Sequence, residues 1–270
     1  MSITPNTSTT LQVRRTSAHV AEIWLNRPEV RNAFNDGVIA ELTATFSELA
    51  VDGDLRVIVL GGHGKAFCAG ADLNWMRTMA GYDWQDNHAD AGRLAQMLWT
   101  IYSCPVPVIG RIHGDCYAGG VGLAAVCDVL VAADSMQFCL SEARLGLLPA
   151  TIAPYVVKAL GEQAARRYFI TAERFGAAEA HARGFVHEVV APDMLDSKIA
   201  EIVAALLANG PAAVKACKQL VKDVAGRPVD AALRDDTARR IADIRSSAEG
   251  KEGVQAFLNK RDPAWTTRSD

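Results

Sequence analysis

Two short runs of small residues, Phe67-Cys68-Ala69-Gly70-Ala71-Asp72-Leu73 and Ala118-Gly119-Gly120, are the first sign of chemistry in this chain. Each follows an apolar, β-branched run, residues 56–60 in one case and 106–112 in the other, and each precedes a helix-prone stretch. Small residues let the backbone turn tightly at the end of a strand and present its N–H groups outward. Two such donors converging on one oxygen form an oxyanion hole, which stabilises charge developing on a carbonyl oxygen by roughly 3–4 kcal/mol per donor. A third feature is Glu142, set in the otherwise mostly apolar and small run SMQFCLSEARLGLLP over residues 135–149. Burial disfavours the charged form of a carboxyl group and suits it to general acid/base work near neutral pH. The alternative is an exposed glutamate at a helix start, where the dipole favours it.

These residues need strands to aim them and helices to back them. Residues 11–15 and 19–25 read as a hairpin-like pair of strands, stopped by Asn26-Arg27-Pro28. Over 36–50 the apolar residues Val38, Ile39, Leu42, Phe46 and Leu49 fall at helical spacing. Strands follow at 56–60, 106–112 and 128–133. Helices are expected at 73–79, 87–102 and 120–127, with a polar loop over 81–86. From about residue 152 the pattern is almost wholly helical, broken at Asn209-Gly210-Pro211 and Gly226-Arg227-Pro228.

Composition narrows the function classes. The chain has 270 residues, half of them apolar, and a net charge of −3 with no long basic run, so nucleic acid is not an expected partner. The six cysteines show no C-x-x-C spacing and most sit among apolar or small residues, as buried free thiols do in a reducing, cytoplasmic setting. No H-E-x-x-H or H-x-x-x-H pair offers a zinc ligand set, so no metal is expected. Residues 1–10 are polar and read as a flexible tail, and no apolar run reaches the ~18–20 residues that span a bilayer.

Nearly the whole chain resembles the enoyl-CoA hydratase/isomerase family, the crotonase superfamily. The matching runs are Leu25-Asn26-Arg27-Pro28 with Asn32-Ala33-Phe34, Ala66 to Leu73, His113-Gly114 through Ala118-Gly119-Gly120, Leu123 to Asp128, and Phe138 through Glu142 to Pro149. Each run alone is common; their order and spacing are specific. The resemblance implies an α/β fold of the crotonase type, a spiral of β-β-α turns over residues 11–200, with a C-terminal helical trimerisation region over 201–270. It implies a homo-oligomer, trimer or hexamer, and an acyl-CoA thioester substrate, with no cofactor beyond the coenzyme A that the substrate carries. The family's two oxyanion donors fall here on the N–H groups of Ala71 and Gly119. Ala69, Ala71, Asp72, Leu73, Asn74 and Gly120 fall on the wall that contacts substrate and CoA. Phe257 and Lys260 match a segment that approaches the CoA of a neighbouring subunit. Asp72 also reads as the cap of the helix that follows it.

One position departs from the hydratase pattern. Hydratases of this family use two glutamates, and the first of these positions is Gly122 here, which leaves Glu142 as the single carboxylate. One carboxylate suffices to move a proton between carbons, so a Δ3,Δ2-enoyl-CoA isomerase is the alternative. A finer resemblance, in Ala71 to Met76, Phe138 to Glu142 and Leu148 to Pro154, is to bacterial methylglutaconyl-CoA hydratases. It implies hydration of a branched 2-enoyl-CoA of the 3-methylglutaconyl type, in leucine or acyclic terpene breakdown. Such a substrate needs a partner for its second carboxylate, for which Arg77, Arg144 and His113 are the candidates. Ser141, Tyr117, Asp115 or the substrate's own carboxylate would orient the water. Trp75 and Met76 are candidates for the acyl wall, one of them expected in the core.

Overall fold

The computed structural model describes residues 6–7 and 10–266. Of the expected ten-residue tail, Asn6 and Thr7 form a two-residue strand, β1 (Asn6–Thr7), while residues 1–5 and 8–9 lie outside the described residues. β1 pairs with β2 (Leu11–Ser17), which turns back antiparallel on β3 (Val20–Leu25) with an irregularity between Arg15 and Ser17. Helix α1 (Asp36–Ala50) then buries the five apolar residues read from its spacing, and Asn35 caps it by accepting the Val38 N–H at 2.9 Å.

Three turns of a β-β-α spiral follow. The first runs through β4 (Val57–Gly62), β5 (Ala66–Cys68), α2 (Leu73–Met79) and α3 (Trp84–Ser103). The second is β6 (Val108–Ile112), β7 (Asp115–Tyr117) and α4 (Gly119–Ala125). The third is β8 (Val129–Ala133), β9 (Gln137–Cys139), a short 3-10 turn over Glu142–Leu145, α5 (Ala153–Leu160) and α6 (Glu162–Thr171). The first strand of every turn joins one parallel sheet, in the order β3-β4-β6-β8, and the second joins a smaller parallel sheet, β5-β7-β9. Strand β10 (Arg174–Gly176) closes the small sheet antiparallel to β9. After α7 (Ala177–Ala182), β11 (Glu188–Val190) extends the large sheet beside β8.

A parallel sheet must be covered on both faces. One face of the large sheet packs Ile23, Ile58, Leu60 and Ile112 into the main core with α1, α3 and the small sheet. The other sets Val57, Val59, Ile109 and Val131 against Leu195 and Ile199 of α8 (Leu195–Leu207), a helix that crosses the expected boundary at residue 200. The chain ends in α9 (Pro211–Val224), opened by Pro211 in its first turn, α10 (Ala231–Ser246) and α11 (Ala248–Leu258). No single helix among the described residues is long and apolar enough to cross a membrane.

Two local expectations change. The loop expected over 81–86 is confined to residues 81–83, because Asp83 accepts the Asp86 N–H at 2.8 Å and caps α3 from Trp84. The stretch after residue 152 holds β10 and β11, three-residue strands too short to show a period of two.

Candidate active site

The three candidate groups are delivered by three neighbouring strands. β5, β7 and β9 lie side by side and parallel, about 4.8 Å from one to the next, and run toward the same edge. Just past their carboxyl ends come Ala71, Gly119 and Glu142, and all three line one cavity of about 490 Å³. The carboxyl edge of parallel strands is where open α/β sheets bind ligands.

The donor geometry follows from local pairing. Phe34 donates its N–H to the Gly70 carbonyl at 2.6 Å and accepts the Asp72 N–H at 2.7 Å, forming a parallel bridge centred on Ala71. In such a bridge the central residue's own N–H points away from the partner strand, and here Phe34 is that partner. Gly119 is the first residue of α4, where backbone N–H groups have no partner within the helix. Ala118 sets its direction by holding φ 48° and ψ −120°, a sterically costly conformation for alanine, pinned by the Ala118 N–H donating to Cys139 O at 2.8 Å. The two turns abut: Gly70 has φ 89°, and a Cβ on it would stand 2.9 Å from the Ala118 Cβ. Neither the Ala71 nor the Gly119 N–H donates to a protein acceptor among the described residues.

Glu142 opens the 3-10 turn, with Oε2 shielded from solvent and lacking any hydrogen-bond partner. Burial pushes its carboxyl above the usual carboxylate range, and only its own backbone N–H acts in the other direction. That favours the neutral acid, able to hand a proton to a carbon and take it back. No arginine, lysine or histidine lines the cavity among the described residues.

Asp72 is fully engaged in the architecture of the first turn. It is buried, accepts the Asn74 N–H at 2.8 Å and the Trp75 N–H at 3.4 Å as the cap of α2, and pairs with Arg27 Nη2 at 2.8 Å. Arg27 in turn donates to the Ala33 carbonyl at 2.8 Å, tying the Leu25–Pro28 run to the donor turn. Burial raises the Asp72 carboxyl, but Arg27 and the two amides outweigh it and hold it below its ordinary value. A depressed folded-state pKa stabilises above the unfolded value and is lost as pH falls through the folded one. Arg27→Met is therefore expected to cost about 2 kcal/mol near neutral pH, less than for a fully sealed pair because Arg27 is partly exposed. Urea unfolding should show the gap between variant and wild type closing as pH is lowered below about 4; a gap independent of pH would refute the role of the pair.

The structure distributes the other expected residues as follows. Ala69, Leu73 and Ser141 line the cavity, and so do both Trp75 and Met76, because short α2 lies along its rim. Asn74 is exposed and accepts from Arg77 at 2.5 Å, while Gly120 is buried behind the second turn against Cys68. Phe257 and Lys260 lie off the cavity of their own chain, Phe257 fully open on α11. The expected cations are elsewhere: Arg144 donates to the Ala172 carbonyl at 2.5 Å, and His113 bonds the Gly64 carbonyl at 3.0 Å. Tyr117 and Asp115 are also off the wall, with Arg174 stacked over the Tyr117 ring. At Gly122 a Cβ would stand 2.1 Å from Ile152 Cγ2, so the seat of a second glutamate is filled by an isoleucine.

Missed from the sequence were Asn87 and Asp90 of α3, on the same wall. The signal for Asp90 was present: the buried stripe Met97, Leu98 and Ile101, carried back through Leu94 by one more turn, lands on it.

Two free backbone donors and a carboxyl with a shielded oxygen in one cavity are an arrangement able to stabilise charge on an acyl oxygen and to move a proton beside it. The chain belongs to the enoyl-CoA hydratase/isomerase family, whose model matches residues 15–268. It is similar to a crystal structure of an enoyl-CoA hydratase from Shewanella pealeana, 38% identical with a TM-score of 0.91, covering 95% of this chain and 96% of that one. It is similar also to AtuE of Pseudomonas aeruginosa, 36% identical with a TM-score of 0.91, covering 96% of this chain and 100% of that one. The 2,3-dehydroadipyl-CoA hydratase of Escherichia coli is 29% identical over 249 residues, 91% of this chain and 94% of its own.

Proposed function

We propose that this chain hydrates a branched 2-enoyl-CoA thioester. The observation that carries the reading is the convergence on one cavity of the unpaired Ala71 and Gly119 N–H groups and the half-buried Glu142, whose shielded Oε2 has no hydrogen-bond partner. The thioester oxygen accepts from the two N–H groups, water adds to C3, and Glu142 protonates C2 of the resulting enolate. The chemistry needs no cofactor beyond the coenzyme A of the substrate. Leu73 and Asn74 contribute to the CoA wall, whereas Asp72 acts through the turn it caps.

The finer reading is an acyl group of the 3-methylglutaconyl type, in leucine or acyclic terpene breakdown. The runs Ala71 to Met76, Phe138 to Glu142 and Leu148 to Pro154 support it, while among the described residues the wall presents no cation to pair with the second carboxylate of such a substrate. The isomerase reading is favoured by one observation, the closed seat at Gly122. A homo-oligomer, trimer or hexamer, assembled through residues 201–270 is supported by Val221, Ile241, Val254 and Leu258, apolar residues exposed on α9, α10 and α11. The six free cysteines support a cytoplasmic setting.

The test is a panel of methylglutaconyl-CoA, a branched enoyl-CoA without the carboxylate, crotonyl-CoA and a 3-enoyl-CoA, run in oxygen-labelled water with mass detection. Hydration predicts a labelled 3-hydroxyacyl product and loss of conjugated ultraviolet absorbance. A double-bond shift with no label would establish isomerisation in its place.

A further inference from the structure

Among the described residues lining the cavity, Asp90 is the only carboxylate besides Glu142. It is 5% exposed on α3, yet its recorded partner is Arg93, whose Nη2 donates to Oδ1 at 2.6 Å from a side chain 53% exposed. Among the described residues no protein group donates to Oδ2. Among the described residues Asp90 caps no helix and accepts from no backbone amide. A carboxylate on the cavity wall whose one protein partner is an exposed arginine is free to meet a bound water.

The same cavity lacks a water-holding group where α4 would supply one, since Ile152 fills the space beside Gly122. We propose that Asp90 activates the attacking water, supplying from α3 the second carboxylate that α4 lacks. Asn87, three residues earlier on the same wall, donates from Nδ2 to the Tyr82 and Asp83 carbonyls and leaves Oδ1 to accept from that water. The water oxygen bonds to C3 and passes one proton to Asp90 while the C2=C3 electron pair moves into the thioester as an enolate held by the Ala71 and Gly119 N–H groups. Glu142 gives its proton to C2 as the enolate collapses. The proton on Asp90 then returns to Glu142 through solvent, so that one water has been added and both carboxyl groups are restored.

This proposal rests on the hydratase reading, and the experiment separates the two. Wild type and Asp90→Asn are compared in hydration and in deuterium exchange at C2 of a saturated acyl-CoA, a reaction that uses Glu142 and the oxyanion hole but no attacking water. Asp90→Asn is expected to lower the hydration kcat by about 100-fold and to leave C2 exchange within about twofold. Hydration retained by Asp90→Asn, or both reactions falling together, overturns the role of Asp90. A wild type that exchanges C2 protons but hydrates nothing in the panel overturns the hydratase reading, and the Asp90 proposal with it.

Discussion

Glu142→Gln lowers turnover by about 10³-fold or more, because the substitution keeps the shape of the side chain and removes the proton that must reach C2. The same variant should unfold at a higher temperature than wild type near neutral pH. Burial lifts the folded-state pKa of this carboxyl above its unfolded value. Its favourable contribution is therefore complete below the unfolded pKa and is lost as pH rises through the folded one. At neutral pH the wild type carries a buried carboxyl group without a partner, and glutamine relieves that penalty. Steady-state kinetics and thermal melts at about pH 7 and about pH 4 read both effects, with the difference in melting temperature shrinking at the lower pH. A Glu142→Gln enzyme with wild-type kcat would remove Glu142 from the reaction.

The second large effect is expected at Gly120, whose side chain would touch no substrate. A Cβ there would lie 2.5 Å from the Cys68 carbonyl oxygen and 2.9 Å from the Cys68 Cβ, at the end of β5. Strand backbone cannot swing aside as the tip of a long side chain can, so α4 must shift and carry the Gly119 N–H with it. Gly120→Ala should lose about 10²–10³ in kcat, the worth of one oxyanion donor, with a much smaller change in KM. Overpacking should add about 1–3 kcal/mol of destabilisation. If a folded Gly120→Ala protein kept wild-type kcat, the donor role of the second turn would fail.

What was legible in the sequence divides along physical lines. Helix α1 could be read because five apolar residues at helical spacing all face the core, and β4, β6 and β8 because continuous apolar runs mark strands buried on both faces. The small sheet could not be read, since β5, β7 and β9 have three residues each and no pattern of that length carries a period. The small-residue turns and the acid in an apolar run nevertheless pointed to this edge, the family resemblance put the two donors on Ala71 and Gly119, and the structure brings both to one cavity with Glu142. Asp90 was hidden by the polarity of its neighbours Asn87, His88 and Arg93, and the closure of Gly122 depends on Ile152, thirty residues away and brought to it only by tertiary packing. Arg77, Arg144 and His113 illustrate the reverse error, since charge and sequence proximity do not say which way a side chain turns.

The contact between Gly122 and Ile152 also bears on how such a site can change over generations. A glutamate introduced at Gly122 meets the Ile152 side chain at overlapping distance, and an isoleucine trimmed to alanine leaves a gap beside a glycine. In this chain each substitution is therefore expected to be harmful alone and better accepted in the presence of the other, which is sign epistasis written in van der Waals radii.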